Sequence, residues 1–164
     1  MRRTISAVAM GRAVVVVDET AAQGYLMYAA EAATPALLAF TVRHTSGYVR
    51  VALPAEDCER LDLPPICLQP TASTSSAAHR VAVDACGVGT GISATDRALT
   101  IATLAAAHTT AADFRRPGHV VPVLAGPHGV LDSRAGGAEA AIDLANLAGR
   151  RPSGVLCEIV SQRH

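Results

Sequence analysis

The sequence lacks lysine and tryptophan, and it has few charges of either sign. Only 17% of its 164 residues are charged, and its fourteen basic side chains, all arginine, balance fourteen acidic ones. A neutral chain without a basic cluster is not typical of proteins that bind nucleic acid through phosphate contacts. No apolar run reaches the roughly 18 residues that a membrane-spanning helix needs. The composition therefore argues against a nucleic-acid partner and against a membrane protein.

Cysteine is also scarce, and its spacing matches no metal-binding or redox motif. The four cysteines form no CxxC pair and no zinc-finger pattern. The apolar patch after the first residues is too short for a secretory signal. Because 50% of the residues are hydrophobic, the chain is not disordered. We therefore expect a cytoplasmic protein with reduced thiols, folded as a single domain over residues 1–164.

Hydrophobic patterning predicts strands that alternate with helices along the chain. The predicted strands are 14–17, 48–53, 80–85, 120–124 and 155–160. The predicted helices are 29–43, 56–61, 93–107 and 138–149. Residues 70–78, which have small side chains, are predicted to form a surface loop. The alternation predicts one α/β domain with a mixed β-sheet flanked by helices.

Polar side chains that could bind a ligand lie at two ends of predicted helices. His44, Thr45 and Ser46 join a helix to a strand, and the alternative there is a capped helix end with a tight glycine turn. Thr95 and Asp96 follow a glycine-rich turn at a helix start. Free backbone N–H groups at such a start can bind an anion. The alternative at this second junction is an ordinary helix cap.

Two titratable residues beside or within strands are the candidate acid and base. His119 follows a Pro-Gly turn, and imidazole is the side chain best suited to proton transfer near neutral pH. A structural role at the strand start is the alternative for His119. Glu158 lies within the apolar run 155–160, where burial of an unpaired carboxyl would raise its pKa. The alternative for Glu158 is a salt bridge to an arginine.

These motifs occur together, and in the same order, in one enzyme family. The matching segments are VVVVD (14–18), AAE (29–31), RHTSGY (43–48), RLDLPP (60–65), VDA (83–85), TGISATDR (90–97), RPGHVVP (116–122), GVL (129–131), EAAIDLA (139–145) and GVLCEI (154–159). Through them the chain resembles 3,4-dihydroxy-2-butanone 4-phosphate synthase of riboflavin biosynthesis. The resemblance implies the family's α/β fold and conversion of ribulose 5-phosphate to dihydroxybutanone phosphate and formate. It also implies two magnesium ions and a homodimer with its sites near the interface.

The resemblance fails at the residues that would hold the metal. The family's Glu and His ligands are replaced by Ala21 and Gly137, and its phosphate-contacting Thr by Ala138. Tyr25 stands in place of the last Asp of the family's acidic loop, whereas the phosphate-contacting Arg is retained as Arg134. We also expect the domain to lack the family's C-terminal segment. Because Mg²⁺ needs several oxygen ligands, we expect neither a metal nor another cofactor.

The replaced metal ligands lead to the functional hypothesis. It is a repurposed, metal-independent lyase, isomerase or cyclase that acts on a small molecule in specialised, natural-product metabolism, with His119 and Glu158 as catalytic acid and base. The predicted substrate contacts are Tyr25, His44, Thr45, Ser46, Arg50, Thr95, Asp96 and Arg134. The first alternative is a non-catalytic paralogue with a binding or regulatory role. The second alternative is a genuine dihydroxybutanone phosphate synthase of riboflavin biosynthesis.

Overall fold

A mixed β-sheet forms the centre of the protein, as the sequence predicts. The computed structural model describes residues 1–67, 78–131 and 136–160. Its strands are β1 (Val14–Asp18), β2 (Gln23–Ala29), β3 (Arg50–Leu53), β4 (Val83–Ala85), β5 (Phe114–Leu124) and β6 (Gly154–Ile159). Within the described residues they form one sheet in the order β1-β2-β6-β3-β5-β4. Only the β3–β5 pair is parallel among these neighbours, which confirms the mixed α/β class.

Helices cover both faces of this sheet. They are α1 (Arg2–Ala9), α2 (Pro35–His44), α3 (Ala55–Arg60), α4 (Ala94–Ala105) and α5 (Gly137–Leu147). Val51 of β3 lies in one buried cluster with Leu38 of α2 and Ile101 of α4. The next residue, Ala52, lies in a second cluster with Ala141 of α5. Because adjacent strand residues point to opposite faces, β3 is buried on both sides.

The predicted helix 29–43 begins too early in the sequence. Its first residue still belongs to β2, which pairs with β6, and a short 3₁₀ turn follows at Ala30–Ala32. The α-helix begins at Pro35, where the Thr34 hydroxyl accepts a hydrogen bond from the Leu37 N–H at 3.2 Å. A hydroxyl cap followed by proline at the first helical position favours a start at this point.

A large bulge interrupts the pairing of β4 with β5. Val83 faces Val120, but the next residue, Asp84, faces Arg115. Residues 116–119 therefore have no regular pairing partner in β4, although the Gly118 N–H still donates to the Ala82 carbonyl at 2.9 Å. Bulges of this kind change the direction of side chains at the edge of a sheet. Here the bulge places His119 beside Asp84.

Two cysteines are buried in the protein as thiols, Cys58 and Cys157. Burial raises the pKa of Cys58 to about 11, although Arg80 opposes the shift. Cys58 is therefore protonated at neutral pH and acts as a packing residue. In the three described stretches of chain, none of the helices has the length and hydrophobicity needed to cross a bilayer.

Most of the predicted loop, residues 70–77, lies outside the described residues. The adjoining strand is shorter than the predicted range 80–85, because only Val83–Ala85 pair as a regular strand. Before them, Pro65 and Arg80 form an isolated bridge. The chain therefore reaches the sheet edge through irregular extended backbone.

Candidate active site

His119 and Asp84 form a hydrogen-bonded pair near the edge of the sheet. Asp84 Oδ1 accepts from the His119 backbone N–H at 2.9 Å, and Asp84 Oδ2 lies 2.8 Å from His119 Nδ1. Asp84 is only 6% exposed, whereas the His119 side chain is 40% exposed. The buried carboxylate thus fixes the orientation of the imidazole and leaves its other nitrogen accessible. The sequence did not identify Asp84 as a site residue.

Gly91 makes room for this pair. Its φ is +85°, and a Cβ at this position would lie 2.1 Å from Asp84 Oδ2 and 2.7 Å from His119 Nδ1. The surrounding turn is held by Asp96, whose carboxylate accepts from the Gly91 N–H at 3.0 Å. The start of α4 is capped by the Ser93 hydroxyl, which accepts from the Asp96 N–H at 3.0 Å, and this matches the alternative of an ordinary helix cap. Thr95, beside Asp96, is exposed.

Three other predicted residues meet on the face of the sheet that α5 covers. Tyr25 faces Glu158 in the register of β2 and β6, and Arg50 Cζ lies 5.6 Å from the Tyr25 ring centroid. Burial raises the pKa of Tyr25; Arg50 opposes this rise, and Glu158 adds to it. Tyr25 is therefore a neutral hydroxyl at physiological pH, and it donates a hydrogen bond to the Gln23 side-chain oxygen.

The predicted acid and base lie on the same face of the sheet. Arg50 pairs with Val121 on one side and with Leu156 on the other. His119 is two residues before Val121, and Glu158 is two residues after Leu156. Alternation along the strands therefore places the side chains of His119, Arg50 and Glu158 on one face. Since β3 separates the outer two strands, their backbones are about 10 Å apart.

The junction after α2 does not contribute its hydroxyls to that face. The Thr45 hydroxyl lies 3.0 Å from Cys157 Sγ, and the Ser46 hydroxyl lies 3.6 Å from it. Cys157 belongs to the buried cluster under α2 and α4, on the opposite side of β6 from Glu158. His44 is exposed in the last turn of α2. These contacts match the alternative of a capped helix end.

The side chains on the α5 face do not fit the magnesium ions that the resemblance implies. Within the part of the chain that the structure describes, no group of three or more His, Cys, Asp or Glu could hold a metal ion. A Cβ at Gly137 would lie 3.1 Å from Leu156 Cδ1 and 3.2 Å from two atoms of the Tyr25 ring, so a larger side chain at this position would be crowded. The Gln23 side-chain oxygen already accepts from Tyr25. Arg134 lies outside the described residues.

Comparison with known proteins identifies the relatives of this fold and site. A sequence model of 3,4-dihydroxy-2-butanone 4-phosphate synthase matches residues 2–164. Riboflavin biosynthesis protein RibBA of Nocardia farcinica is 52% identical over 99% of this chain, and that of Salinispora arenicola is 51% identical over 98%. The chain spans only 40% and 39% of these two relatives.

Solved structures agree with the sequence comparison. A crystal structure of 3,4-dihydroxy-2-butanone 4-phosphate synthase in complex with two magnesium ions has a TM-score of 0.93 and 41% identity, covering 99% of this chain and 76% of that one. RibBX from A. baumannii, a two-domain synthase, has a TM-score of 0.91 and 37% identity, covering 98% of this chain and 48% of that one.

These relatives correct the functional hypothesis. A metal-independent enzyme of natural-product metabolism is wrong, because the relatives are riboflavin biosynthesis proteins and a related synthase holds two magnesium ions. The hypothesis depended on Ala21, Tyr25 and Gly137. These three residues lie in one hairpin and at one helix start, whereas about half of all positions are identical to those of RibBA. The comparisons favour the second alternative over a non-catalytic paralogue. With its fold and sequence both matched over nearly the whole chain, the protein belongs to the 3,4-dihydroxy-2-butanone 4-phosphate synthase family.

Proposed function

We propose that the chain catalyses the reaction for which its family is named. Ribulose 5-phosphate would be converted to 3,4-dihydroxy-2-butanone 4-phosphate and formate, which together contain all the atoms of the substrate, so that no oxidant is needed. The curated relatives are longer than this chain, which spans about two fifths of their length, so the proposal concerns this lyase reaction alone. The observation that carries it is the Asp84–His119 pair, which has the geometry of an oriented general base.

His119 is the proposed base for removal of a proton from the carbon next to the substrate ketone. With Nδ1–H bonded to Asp84, the lone pair of the imidazole lies on Nε2. Proton transfer to Nε2 creates an imidazolium, which the neighbouring carboxylate stabilises. Because Asp84 is buried and also accepts from the His119 backbone N–H, it cannot rotate away without losing both bonds.

Glu158 is the proposed second proton-transfer group, on the same face of the sheet as His119. The sheet register separates its strand from that of His119 by two strand spacings, about 10 Å, a gap in which a sugar phosphate fits. Glu158 is half-buried and faces Tyr25 across the β2–β6 pair. Arg50, on β3, lies between the strands of the two proton-transfer groups, and Tyr25, on β2, lies on the far side of Glu158; both support substrate contacts there.

Formate release is the direct test of this proposal. Purified protein is incubated with ribulose 5-phosphate and Mg²⁺, which a related synthase binds. We expect formate and dihydroxybutanone phosphate in equal amounts, because both come from one substrate molecule. The His119→Ala variant gives the background rate. Formate release no faster than this background would refute the synthase function.

We also propose that two copies of the chain form a homodimer with the sites near its interface. The edge strand β1 exposes Val15 and Val17 by 60% and 64%. Unpaired edges with apolar side chains readily join a second chain. The neighbouring strand β2 carries Tyr25, so a partner there would lie close to the site. In sedimentation, wild type is expected at twice the mass of the Val15→Lys/Val17→Lys variant. Wild type at the monomer mass would contradict the dimer, and both proteins at the dimer mass would contradict an interface at β1.

The proposed location of the protein is the cytoplasm. The support for it is that Cys58 and Cys157 are buried as thiols. Disulfides are rare in reducing compartments, whereas reduced buried cysteines are common there. The location agrees with a biosynthetic enzyme that acts on a sugar phosphate.

A further inference from the structure

Arg50 is a partly buried cation held between two aromatic rings. Its Cζ lies 5.6 Å from the Tyr25 ring centroid and 5.9 Å from the Tyr48 ring centroid. Its Nε is buried and has no hydrogen-bond partner. Within the described residues, the ion pairs of arginine do not include Arg50. The guanidinium has a hydrogen bond with the Tyr25 side chain, but its buried Nε–H still lacks a partner, and a buried polar group without a hydrogen bond is costly.

The position of Arg50 in the sheet places it beside both proton-transfer groups. His119 lies two residues from one pairing partner of Arg50, and Glu158 lies two residues from the other. The strand geometry gives a backbone separation of about 8 Å in each case. Helix α5 begins at Gly137 against the Tyr25 ring, and a helix N-terminus adds positive potential. Arg50 and this helix start are thus the positive groups on a face that also carries Glu158, and Glu139 lies in the first turn of α5.

We propose that Arg50 binds an oxyanion of the substrate. A planar guanidinium presents several N–H donors, and it forms strong charge-assisted hydrogen bonds with phosphate or oxyanion oxygens. The oxyanion is either the phosphate group or the oxygen that gains charge when His119 removes a proton. This inference rests on the proposed function, since it assigns a role to one residue of that site. The stacked tyrosine rings would hold the guanidinium in place before the substrate arrives.

The experiment compares Arg50→Gln and Arg50→Lys with wild type. The matched control is Arg43→Gln, because Arg43 is exposed in the last turn of α2, which packs against the opposite face. The chain has three tyrosines and no tryptophan, and two of the tyrosines flank Arg50. Tyrosine fluorescence therefore reports binding of inorganic phosphate at this site, and formate release gives kcat and KM. Thermal melting checks that each variant is folded.

The two sources of the oxyanion give different results. If Arg50 binds phosphate, Arg50→Gln should weaken inorganic phosphate binding and raise KM by about 10- to 100-fold. If Arg50 binds the oxygen that gains charge, kcat should fall by a similar factor while KM stays unchanged. In both cases Arg50→Lys should recover part of the loss, and Arg43→Gln should behave as wild type.

The proposed role of Arg50 and the synthase function can fail separately. Normal kcat, KM and phosphate binding in a folded Arg50→Gln variant would overturn the role of Arg50 and leave the synthase function intact. Conversely, Arg50-dependent phosphate binding without formate release would support the role of Arg50 and refute the synthase function. If Arg43→Gln and Arg50→Gln lost phosphate binding or activity to the same extent, the inference would also be overturned, because loss of any one positive charge would then explain the effect.

Discussion

Substitution of His119 by alanine is expected to reduce formate release by about 10²- to 10⁴-fold, the range typical of losing a positioned general base. The side chain is the exposed member of the Asp84 pair. The loss should fall mainly on kcat, since the imidazole acts in the proton-transfer step. Steady-state formate assays at saturating ribulose 5-phosphate measure the effect.

The Asp84→Asn variant keeps the His119 imidazole but changes the group that orients it, so it tests the role of Asp84 alone. The amide has nearly the shape of the carboxylate, but it can donate a proton to Nδ1 and so favour the wrong tautomer. We expect a large loss of kcat with little change in stability or KM. The control is His108→Ala, because His108 is exposed after α4. Wild-type turnover in either His119→Ala or Asp84→Asn would exclude the pair from catalysis.

The fold was predictable where local patterning and burial agree. The apolar runs 14–17 and 155–160 became β1 and β6, and the Thr-Pro sequence marks the start of α2. β2 was missed because Tyr25–Ala29 are all buried. A strand covered on both faces shows no alternation of polar and apolar residues, so its sequence could not be separated from the helix that follows.

The Asp84–His119 pair could not be predicted from local sequence. The two residues are 35 positions apart, and their contact depends on the bulge in β5. One indication was available: Asp84 interrupts the apolar alternation of residues 81–85, as Glu158 interrupts its own strand. A carboxylate inside a buried strand requires a partner. The sequence alone cannot say which residue supplies it.

The contact between Tyr25 and Gly137 also could not be predicted from local sequence. Compared with the family's motifs, each position is a lost acidic or metal-binding side chain. In the structure the two positions are neighbours, because a Cβ at Gly137 would lie 3.2 Å from two atoms of the Tyr25 ring. The resemblance predicted a departure from the family's motifs at both positions, but the sequence could not show that the two positions are neighbours.

The second large effect is expected for Gly118→Ala, which should disrupt the packing of β5 against β4 and so lower the stability of the protein. A Cβ at Gly118 would lie 2.0 Å from the carbonyl carbon of Val83 and 2.2 Å from the Asp84 nitrogen. Both atoms belong to the backbone, so no side-chain rotation can relieve the overlap. Overpacking of this kind costs about 3 kcal/mol or more, which corresponds to a loss of roughly 6 to 12 °C in Tm for a chain of this size.

Thermal melting of Gly118→Ala beside Gly24→Ala tests this expectation. Gly24 is also a strand glycine, but a Cβ there meets only Ile159, at 3.8 Å. The Tm of Gly24→Ala should therefore stay close to wild type. Because the Gly118 N–H donates to the Ala82 carbonyl at 2.9 Å next to Asp84, displacement of this segment should also separate Asp84 from His119. A Gly118→Ala variant with both wild-type Tm and wild-type turnover would show that the bulge does not position the catalytic pair.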